Sequence, residues 1–221
     1  MNQENIILTG VGGQGVITAG ILIGNAVTAA GLNAVMAEVH GMSQRGGVVT
    51  VELRIGDVHG PIVPNGAADL VLGFEAVETL RAMCRASKNT TVIMSTERIV
   101  PISVNFGDSK YPDIERMVTK LSERGVKVIP IDAPRLAREA GESLSSNVVL
   151  VGSAFSAGFI PVDHSELEES IMHLFPIKSW EANLKALKLG IKEYRTLSVN
   201  GPVHLDGHGE ITATPERTAN V

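Results

Sequence analysis

The feature that most constrains this sequence is a short apolar run that leads into a glycine-rich loop and then into a long apolar segment. Residues 5–9 predict a buried strand, and residues 16–30 predict a helix that ends near Gly31. Between them, Gly10, Gly12 and Gly15 have the spacing G-x-G-x-x-G in the strand–loop–helix context that this motif requires. Such glycines allow a tight turn, close approach of a ligand and close packing of the helix on the strand. The sequence therefore predicts the opening half of a βαβ unit in an α/β fold.

The segment from 10 to 15, the glycine loop, has two interpretations. A helix that starts here presents free N–H groups and a partial positive charge, which together favour an anion. Gly12, Gly13, Gln14 and Gly15 are therefore candidate contacts for a phosphate. Glu38 ends the second predicted strand, near the position from which a dinucleotide-binding fold holds the ribose hydroxyls. The same loop also occurs as a tight crossover without a ligand, so the motif alone leaves nucleotide binding open.

A second polar loop, residues 40–47 and here called the arginine loop, follows the second predicted strand in place of a helix. Its Gln44 and Arg45 carry side-chain donors, and arginine can hold a carboxylate or phosphate with two parallel hydrogen bonds. Gly46 and Gly47 allow close approach to the backbone. Because loops at the carboxyl ends of parallel strands share one edge of a sheet, we expect both loops to face one crevice. The alternative is a surface turn with a solvated Arg45.

The rest of the chain alternates strand and helix patterns. Strands are predicted at 34–38, 48–55, 58–63 (the return strand of a hairpin), 69–74, 91–94 and 126–131, with a weak one at 102–104. Helices are predicted at 75–86, 113–124, 133–140, 148–159, 165–174 and 180–194, and the fourth of these is apolar on nearly all sides. We predict a Rossmann-like three-layer α/β domain over residues 1–195, with a mostly parallel sheet, an added β-hairpin and C-terminal helices. Residues 196–221 predict an extended or disordered tail.

Composition and residue spacing exclude several classes of protein. The formal net charge of -5 argues against a nucleic-acid binder, which would show a basic face. The single cysteine, Cys84, excludes an internal disulfide and a self-contained iron–sulfur cluster, and its helical context predicts a small buried residue. The histidines show no metal-ligand spacing, and no catalytic constellation stands out, so we assign no catalytic or metal residue. Without a membrane-length apolar run or a signal-like N-terminus, we expect a cytoplasmic protein with no membrane partner.

Three motifs together resemble the gamma domain of the 2-oxoacid:ferredoxin oxidoreductases. They are Gly10-Val11-Gly12-Gly13-Gln14-Gly15, Gln44-Arg45-Gly46-Gly47 and Asp69-Leu70-Val71-Leu72-Gly73-Phe74-Glu75. Later positions also resemble the family, namely Asn147, Gly152, Pro161, Asn183 and Gly190. The resemblance covers about residues 4–195. It is greatest to the beta subunit of the indolepyruvate type, and the types that act on phenylglyoxylate or other aryl 2-oxoacids are also similar.

The resemblance implies a partner-dependent enzyme that oxidatively decarboxylates a 2-oxoacid, captures the acyl group on coenzyme A and passes electrons to ferredoxin. Thiamine diphosphate, Mg²⁺ and the iron–sulfur clusters are then expected on a large alpha subunit, with no cofactor bound by this chain alone. Coenzyme A is expected at a face that comprises Gly10, Gly12, Gly13, Gln14, Gly15, Gln44, Arg45, Gly46 and Gly47. Two alternatives remain open: a free-standing NAD(P)-binding oxidoreductase and a purely structural assembly subunit.

Overall fold

The computed structural model describes residues 3–41, 47–100 and 111–199, and two short strands beyond them. The six strands of the main sheet are β1 (Glu4–Val11), β2 (Ala34–His40), β3 (Val48–Ile55), β4 (Ala68–Gly73), β5 (Ala86–Ser95) and β6 (Lys127–Ile131). The helices are α1 (Val16–Ala29), α2 (Ala76–Arg81), α3 (Ile114–Glu123), α4 (Ala133–Ala140), α5 (Ser146–Ser156), α6 (His164–Leu174) and α7 (Trp180–Val199). Short 3₁₀ turns occupy 82–85, 143–145 and 177–179. The weak strand predicted at 102–104 lies outside the described residues.

The strand order is β2-β3-β1-β4-β5-β6. Strands β1, β4, β5 and β6 are parallel, whereas β3 is antiparallel to both β1 and β2. The mostly parallel sheet with an added hairpin is therefore confirmed, but the hairpin consists of β2 and β3. The return strand predicted at 58–63 is wrong, because that segment is irregular. Since β3 pairs on one side with β2 and on the other with β1, it has no free edge for a further strand.

The three-layer arrangement follows from alternation along the central strands. On β1, Ile6 and Leu8 face one side of the sheet and Ile7 faces the other. Helices α1, α4, α5, α6 and α7 cover the first side, which we call face one. Helices α2 and α3 cover part of the second side, face two. The alternation predicted for β3 is confirmed, since Val51 and Leu53 join the core of face one.

Helix α5 is buried on most sides, as its apolar sequence predicts, and it lies directly against α7. A Cβ atom on Gly152 would lie 2.3 Å from the carbonyl oxygen of Leu187, and one on Gly190 would lie 2.0 Å from that of Val149. The two glycines therefore let the backbones of the two helices touch. The Ser153 hydroxyl adds a hydrogen bond across the contact, donating to the Gly190 carbonyl at 3.2 Å.

Two predictions near the chain's helices are corrected. The last helix continues to Val199, past its predicted end at 194, because the buried side chain of Leu197 extends its apolar stripe. Beyond it, β7 (Val203–Leu205) and β8 (Ile211–Ala213) pair antiparallel. Cys84 is exposed rather than buried, since α2 ends at Arg81 and the thiol belongs to the following 3₁₀ turn. Among the described helices, none is long and apolar enough to cross a membrane.

Candidate functional site

The glycine loop and the arginine loop meet at one edge of the sheet. Strands β1 and β2 both run towards this edge, and β3 starts there opposite the end of β1, with Val11 paired to Val48. The Gly12 N–H donates a hydrogen bond to the Gly47 carbonyl at 2.9 Å. The predicted juxtaposition of the two loops is thus confirmed for the described ends of the arginine loop. Its Gln44, Arg45 and Gly46 lie outside the described residues.

The start of α1 carries no side-chain cap. Its N-cap residue is Gly15, which has a φ of 75°, and the first turn contains no acidic residue. The first backbone hydrogen bond of the helix runs from the Ala19 N–H to the Gly15 carbonyl. The N–H groups that precede Ala19 in the first turn therefore make no hydrogen bond within the helix and can donate to an acceptor from outside. The helix dipole adds a partial positive charge at the same place.

The backbone of the glycine loop is only partly available to a ligand. The Gly12 N–H is bonded to Gly47, and the Gln14 N–H donates to the Val11 carbonyl at 3.1 Å. For the N–H groups of Gly13 and Gly15 there is no acceptor within the described part of the chain. Gly13 has a φ of 105°, and a Cβ built on it would meet nothing within 4 Å, so this part of the loop is open.

Gln14 and Gly10 shape the glycine loop from within. The Gln14 Oε1 accepts from the Val11 N–H at 2.8 Å, while its Nε2 donates to the Phe74 carbonyl at 2.9 Å and to Glu97 at 3.0 Å. A Cβ on Gly10 would lie 2.7 Å from the Cβ of Phe74, so this glycine permits contact with the turn between β4 and α2. Both residues hold the loop in place through contacts inside the protein.

A depression of about 440 Å³ lies between the start of α1, the end of β2 and the start of β3, and we call it the loop depression. Thr18 and His40, the first residue of the arginine loop, contribute polar groups to it. Neither is among the candidate contact residues that the sequence predicted. The His40 Nε2 lies 3.1 Å from the Glu38 carboxylate. None of the described residues that line the depression is acidic. The described lining consists of Val11, Gly12, Gly13, Gly15, Val16, Ile17, Thr18, His40 and Val49.

A smaller cavity of about 120 Å³ lies on the other side of the glycine loop. Gly13 and Gln14 line it together with Glu97, whose carboxylate disfavours a second anion there. The two sides of the loop therefore differ in charge, and the loop depression is the better place for a phosphate.

Residues 5–193 match the protein family described as pyruvate ferredoxin/flavodoxin oxidoreductase. The chain belongs to this family. It is 43% identical over 189 residues to the indolepyruvate oxidoreductase subunit IorB of Archaeoglobus fulgidus, with 86% of this chain and 94% of the relative covered. The resemblance found in the loop motifs is thereby confirmed, and the chain is a subunit of a 2-oxoacid:ferredoxin oxidoreductase.

Solved structures of this family share the fold. A keto/oxoacid ferredoxin oxidoreductase gamma subunit from Geobacter sulfurreducens superposes with a TM-score of 0.65 at 19% identity, covering 87% of this chain and 99% of that chain. The 2-oxoglutarate:ferredoxin oxidoreductase from Magnetococcus marinus, solved with 2-oxoglutarate, coenzyme A and succinyl-CoA bound, has a TM-score of 0.68 at 19% identity. It covers 89% of this chain, which corresponds to 32% of that longer chain.

This chain differs from a dinucleotide-binding fold in the position of Glu38. In the NAD-binding arrangement, the acidic residue ends the strand directly beside β1. Here β3 lies between β1 and β2, so Glu38 is two strand spacings from β1, about 10 Å away. Its carboxylate faces His40 instead. The position of β3 therefore removes the structural basis of the NAD(P) alternative.

Asn147 packs against the glycine loop from the core of the protein. It is buried at the start of α5, and a Cβ on Gly15 would lie 2.7 Å from its Nδ2. The sequence offered Asn147 only as a point of resemblance, and its role in packing against Gly15 emerges from the fold. Within the described residues, no group of three or more His, Cys, Asp or Glu side chains is placed to hold a metal ion.

Proposed function

We propose that this chain is the beta subunit of a cytoplasmic indolepyruvate-type 2-oxoacid:ferredoxin oxidoreductase, and that its loop depression receives a phosphate of coenzyme A. The assembled enzyme decarboxylates an aryl 2-oxoacid oxidatively, forms the acyl-CoA and passes electrons to ferredoxin. The similarity to a relative named for indolepyruvate supports the choice of substrate. The coenzyme A in the Magnetococcus marinus enzyme, which shares this fold, supports the choice of ligand.

One observation carries the placement of the phosphate: the uncapped start of α1 opens onto the loop depression, whose described lining has no acidic residue. Helix N-termini bind phosphate because free N–H groups and the helix dipole act together. Gly12 and Gly13 give clearance, and the N–H groups of Gly13 and Gly15 supply donors. Gln14 and Gly10 keep the loop in shape, while Arg45, with Gln44, Gly46 and Gly47 around it, supplies charge from the arginine loop.

The proposal assigns the electron-transfer chemistry to a large alpha subunit. Iron–sulfur clusters are held by several cysteine thiolates, and this sequence has only Cys84. Thiamine diphosphate, its Mg²⁺ and the clusters therefore belong to the partner in this proposal. The isolated chain is expected to show no turnover. Measurable 2-oxoacid oxidation by the purified chain alone would contradict the assignment.

The coenzyme A site is tested by replacing Arg45 with Ala in the purified two-subunit enzyme. Loss of a charge-assisted hydrogen bond should raise the apparent KM for coenzyme A by about tenfold or more. Arg124→Ala is the matched control, because Arg124 is exposed after α3 on face two, far from the loop depression. Size-exclusion chromatography of both variants reports whether the two subunits still assemble.

Two further outcomes separate the alternatives. If Arg45→Ala leaves both the coenzyme A dependence and assembly unchanged, the site assignment is wrong. If it weakens assembly alone, the arginine loop packs against the partner and the chain has the purely structural role. Repeating the titration with dephospho-coenzyme A, which lacks the ribose phosphate, identifies the phosphate: an Arg45 that contacts this group should matter less for the truncated ligand.

A further inference from the structure

The end of β2 brings an ionisable side chain, His40, to the rim of the loop depression. His40 lies directly opposite Val49 of β3, and opposed residues of antiparallel strands point to the same side of a sheet. Val49 packs against the core of face one, so the imidazole lies on that face too. Helix α1 covers the same face, and its first turn contributes Val16, Ile17 and Thr18 to the depression. The imidazole and the start of α1 therefore line the same depression.

The imidazole of His40 is accessible, and a carboxylate on its own strand lies beside it. The side chain is 52% exposed, so a ligand in the loop depression can reach it. Its Nε2 lies 3.1 Å from Oε2 of Glu38, which is two residues earlier on β2 and therefore on the same face. Of these two side chains, only His40 lines the depression. An anion that enters the depression therefore meets the imidazole and not the carboxylate.

Glu38 is the charged group that faces His40 from the described elements around it. Helix α1 contains no charged residue. On β3, Glu52 and Arg54 alternate with the residues of face one and so point to face two. Arg45 belongs to the arginine loop and lies outside the described residues. With Glu38 on one side and a phosphate on the other, the imidazole would lie between two anions, and nearby negative charge favours its protonated form.

We propose that His40 binds a phosphate of coenzyme A in the loop depression as an imidazolium, with one ring N–H donated to Glu38 and the other to the phosphate. This role rests on the coenzyme A site proposed above and adds a positively charged donor to the backbone N–H groups there. With Nε2–H donated to Glu38, a neutral imidazole presents only the Nδ1 lone pair, which repels a phosphate oxygen, whereas the imidazolium presents an N–H donor. Binding of coenzyme A is therefore coupled to uptake of a proton. The affinity for coenzyme A falls as the pH rises through the range in which histidine loses its charge.

Isothermal titration calorimetry of the purified two-subunit enzyme with coenzyme A tests this role without turnover, since no 2-oxoacid is present. Titrations in buffers of different ionisation enthalpy, from about pH 6 to about pH 8.5, count the protons taken up per coenzyme A bound. A phosphate monoester also titrates near pH 6, so the comparison of the parent with His40→Gln isolates the imidazole. Near neutral pH the parent should take up more protons than the variant, by up to about one. Its Kd should also rise about tenfold more across the range, because binding linked to one proton changes up to tenfold per pH unit.

His173→Gln is the matched control, because His173 is exposed at the end of α6 and does not line the loop depression. It should keep the parental proton uptake. Size-exclusion chromatography reports whether each variant assembles. If His40→Gln takes up as many protons as the parent while Arg45→Ala weakens binding, the coenzyme A site stands and the role of His40 is wrong. If both variants bind coenzyme A as the parent does, the site itself is wrong and the role of His40 with it.

Discussion

The Nε2 of Gln14 donates a hydrogen bond to Oε2 of Glu97 at 3.0 Å and thereby joins the glycine loop to the segment after β5. The same amide accepts from Val11 and donates to the carbonyl of Phe74. The polar side chain of Gln14 in the glycine loop is therefore used in hydrogen bonds within the protein. The shape of the loop depends on contacts with β4 and β5 as well as on its glycines.

Gln14→Ala should therefore lower the free energy of unfolding. It leaves the Val11 N–H and the Phe74 carbonyl without their partners, and unpaired buried groups cost about 1–3 kcal/mol each. Glu97→Ala removes only one hydrogen bond and should cost about 0.5–1.5 kcal/mol. Urea unfolding of the two variants checks the order, and a smaller loss for Gln14→Ala than for Glu97→Ala would show that the loop is held in another way.

The contact between α5 and α7 predicts an unequal response of three helical glycines to alanine. Gly152→Ala and Gly190→Ala each place a methyl group inside the van der Waals radius of a backbone carbonyl oxygen. Because backbone atoms cannot rotate away, each should cost more than the ~1–3 kcal/mol usual for overpacking. Gly24→Ala in α1 is the matched control, since its Cβ would meet nothing within 4 Å.

The control should gain stability, by up to about 1 kcal/mol, because alanine has the higher helix propensity. Thermal unfolding of the three variants tests the contact. If Gly24→Ala were as damaging as the other two, helix packing would not be the cause. A fully soluble Gly152→Ala with parental stability would mean that α5 and α7 can separate without cost.

The sequence predicted those parts of the fold whose signals are local. The strand–loop–helix opening, the alternation on β3 and the burial of α5 all follow from the spacing of apolar residues and glycines. The strand that forms the hairpin with β3 could not be predicted from the sequence. Residues 58–63 also have a strand-like pattern, and which strands pair depends on which sheet edges are free in the folded protein. The role of Gln14 was also hidden, since its acceptors Phe74 and Glu97 are 60 and 83 residues away in the chain.

The position of β3 predicts that NADH does not bind at the start of α1. Glu38 is separated from β1 by a full strand and cannot reach a ribose held at the glycine loop. A ligand present at a hundred times its Kd would stabilise the fold by about 2.7 kcal/mol. Thermal unfolding of the isolated chain should therefore be unchanged by millimolar NADH. A concentration-dependent rise in Tm would restore the dinucleotide-binding alternative.

Tyr111 predicts a pH effect on stability in the alkaline range. Burial and then the Glu75 carboxylate, which accepts the Tyr111 hydroxyl at 3.0 Å, raise the pKa of Tyr111 above its usual value. An unfolded tyrosine loses its proton near pH 10, whereas the folded protein still holds it. Because the folded state then binds more protons, stability from this group falls as the pH rises above about 10.

Tyr111→Phe should remove this dependence. At neutral pH it loses the hydrogen bond to Glu75 and should be less stable than the parent by about 1 kcal/mol. As the pH rises through about 10, the gap between parent and variant should narrow, because only the parent pays for retaining the proton. Urea unfolding at a series of pH values measures the gap. A constant or widening difference would contradict the raised pKa.

The ion pair between Glu52 and Arg85 should contribute far more to stability than the exposed pairs of Arg135. Glu52 is 2% exposed, accepts from the Val63 N–H at 2.5 Å and lies 2.8 Å from Arg85 Nη2. Arg85→Ala leaves this carboxylate buried without its cation, which typically costs about 3–5 kcal/mol. Arg135 contacts Asp132, Glu139 and Glu193 from a half-exposed position, and Arg135→Ala should cost no more than about 1 kcal/mol. Urea unfolding of the two variants decides the point: equal losses would mean that burial of Glu52 does not set the strength of its ion pair.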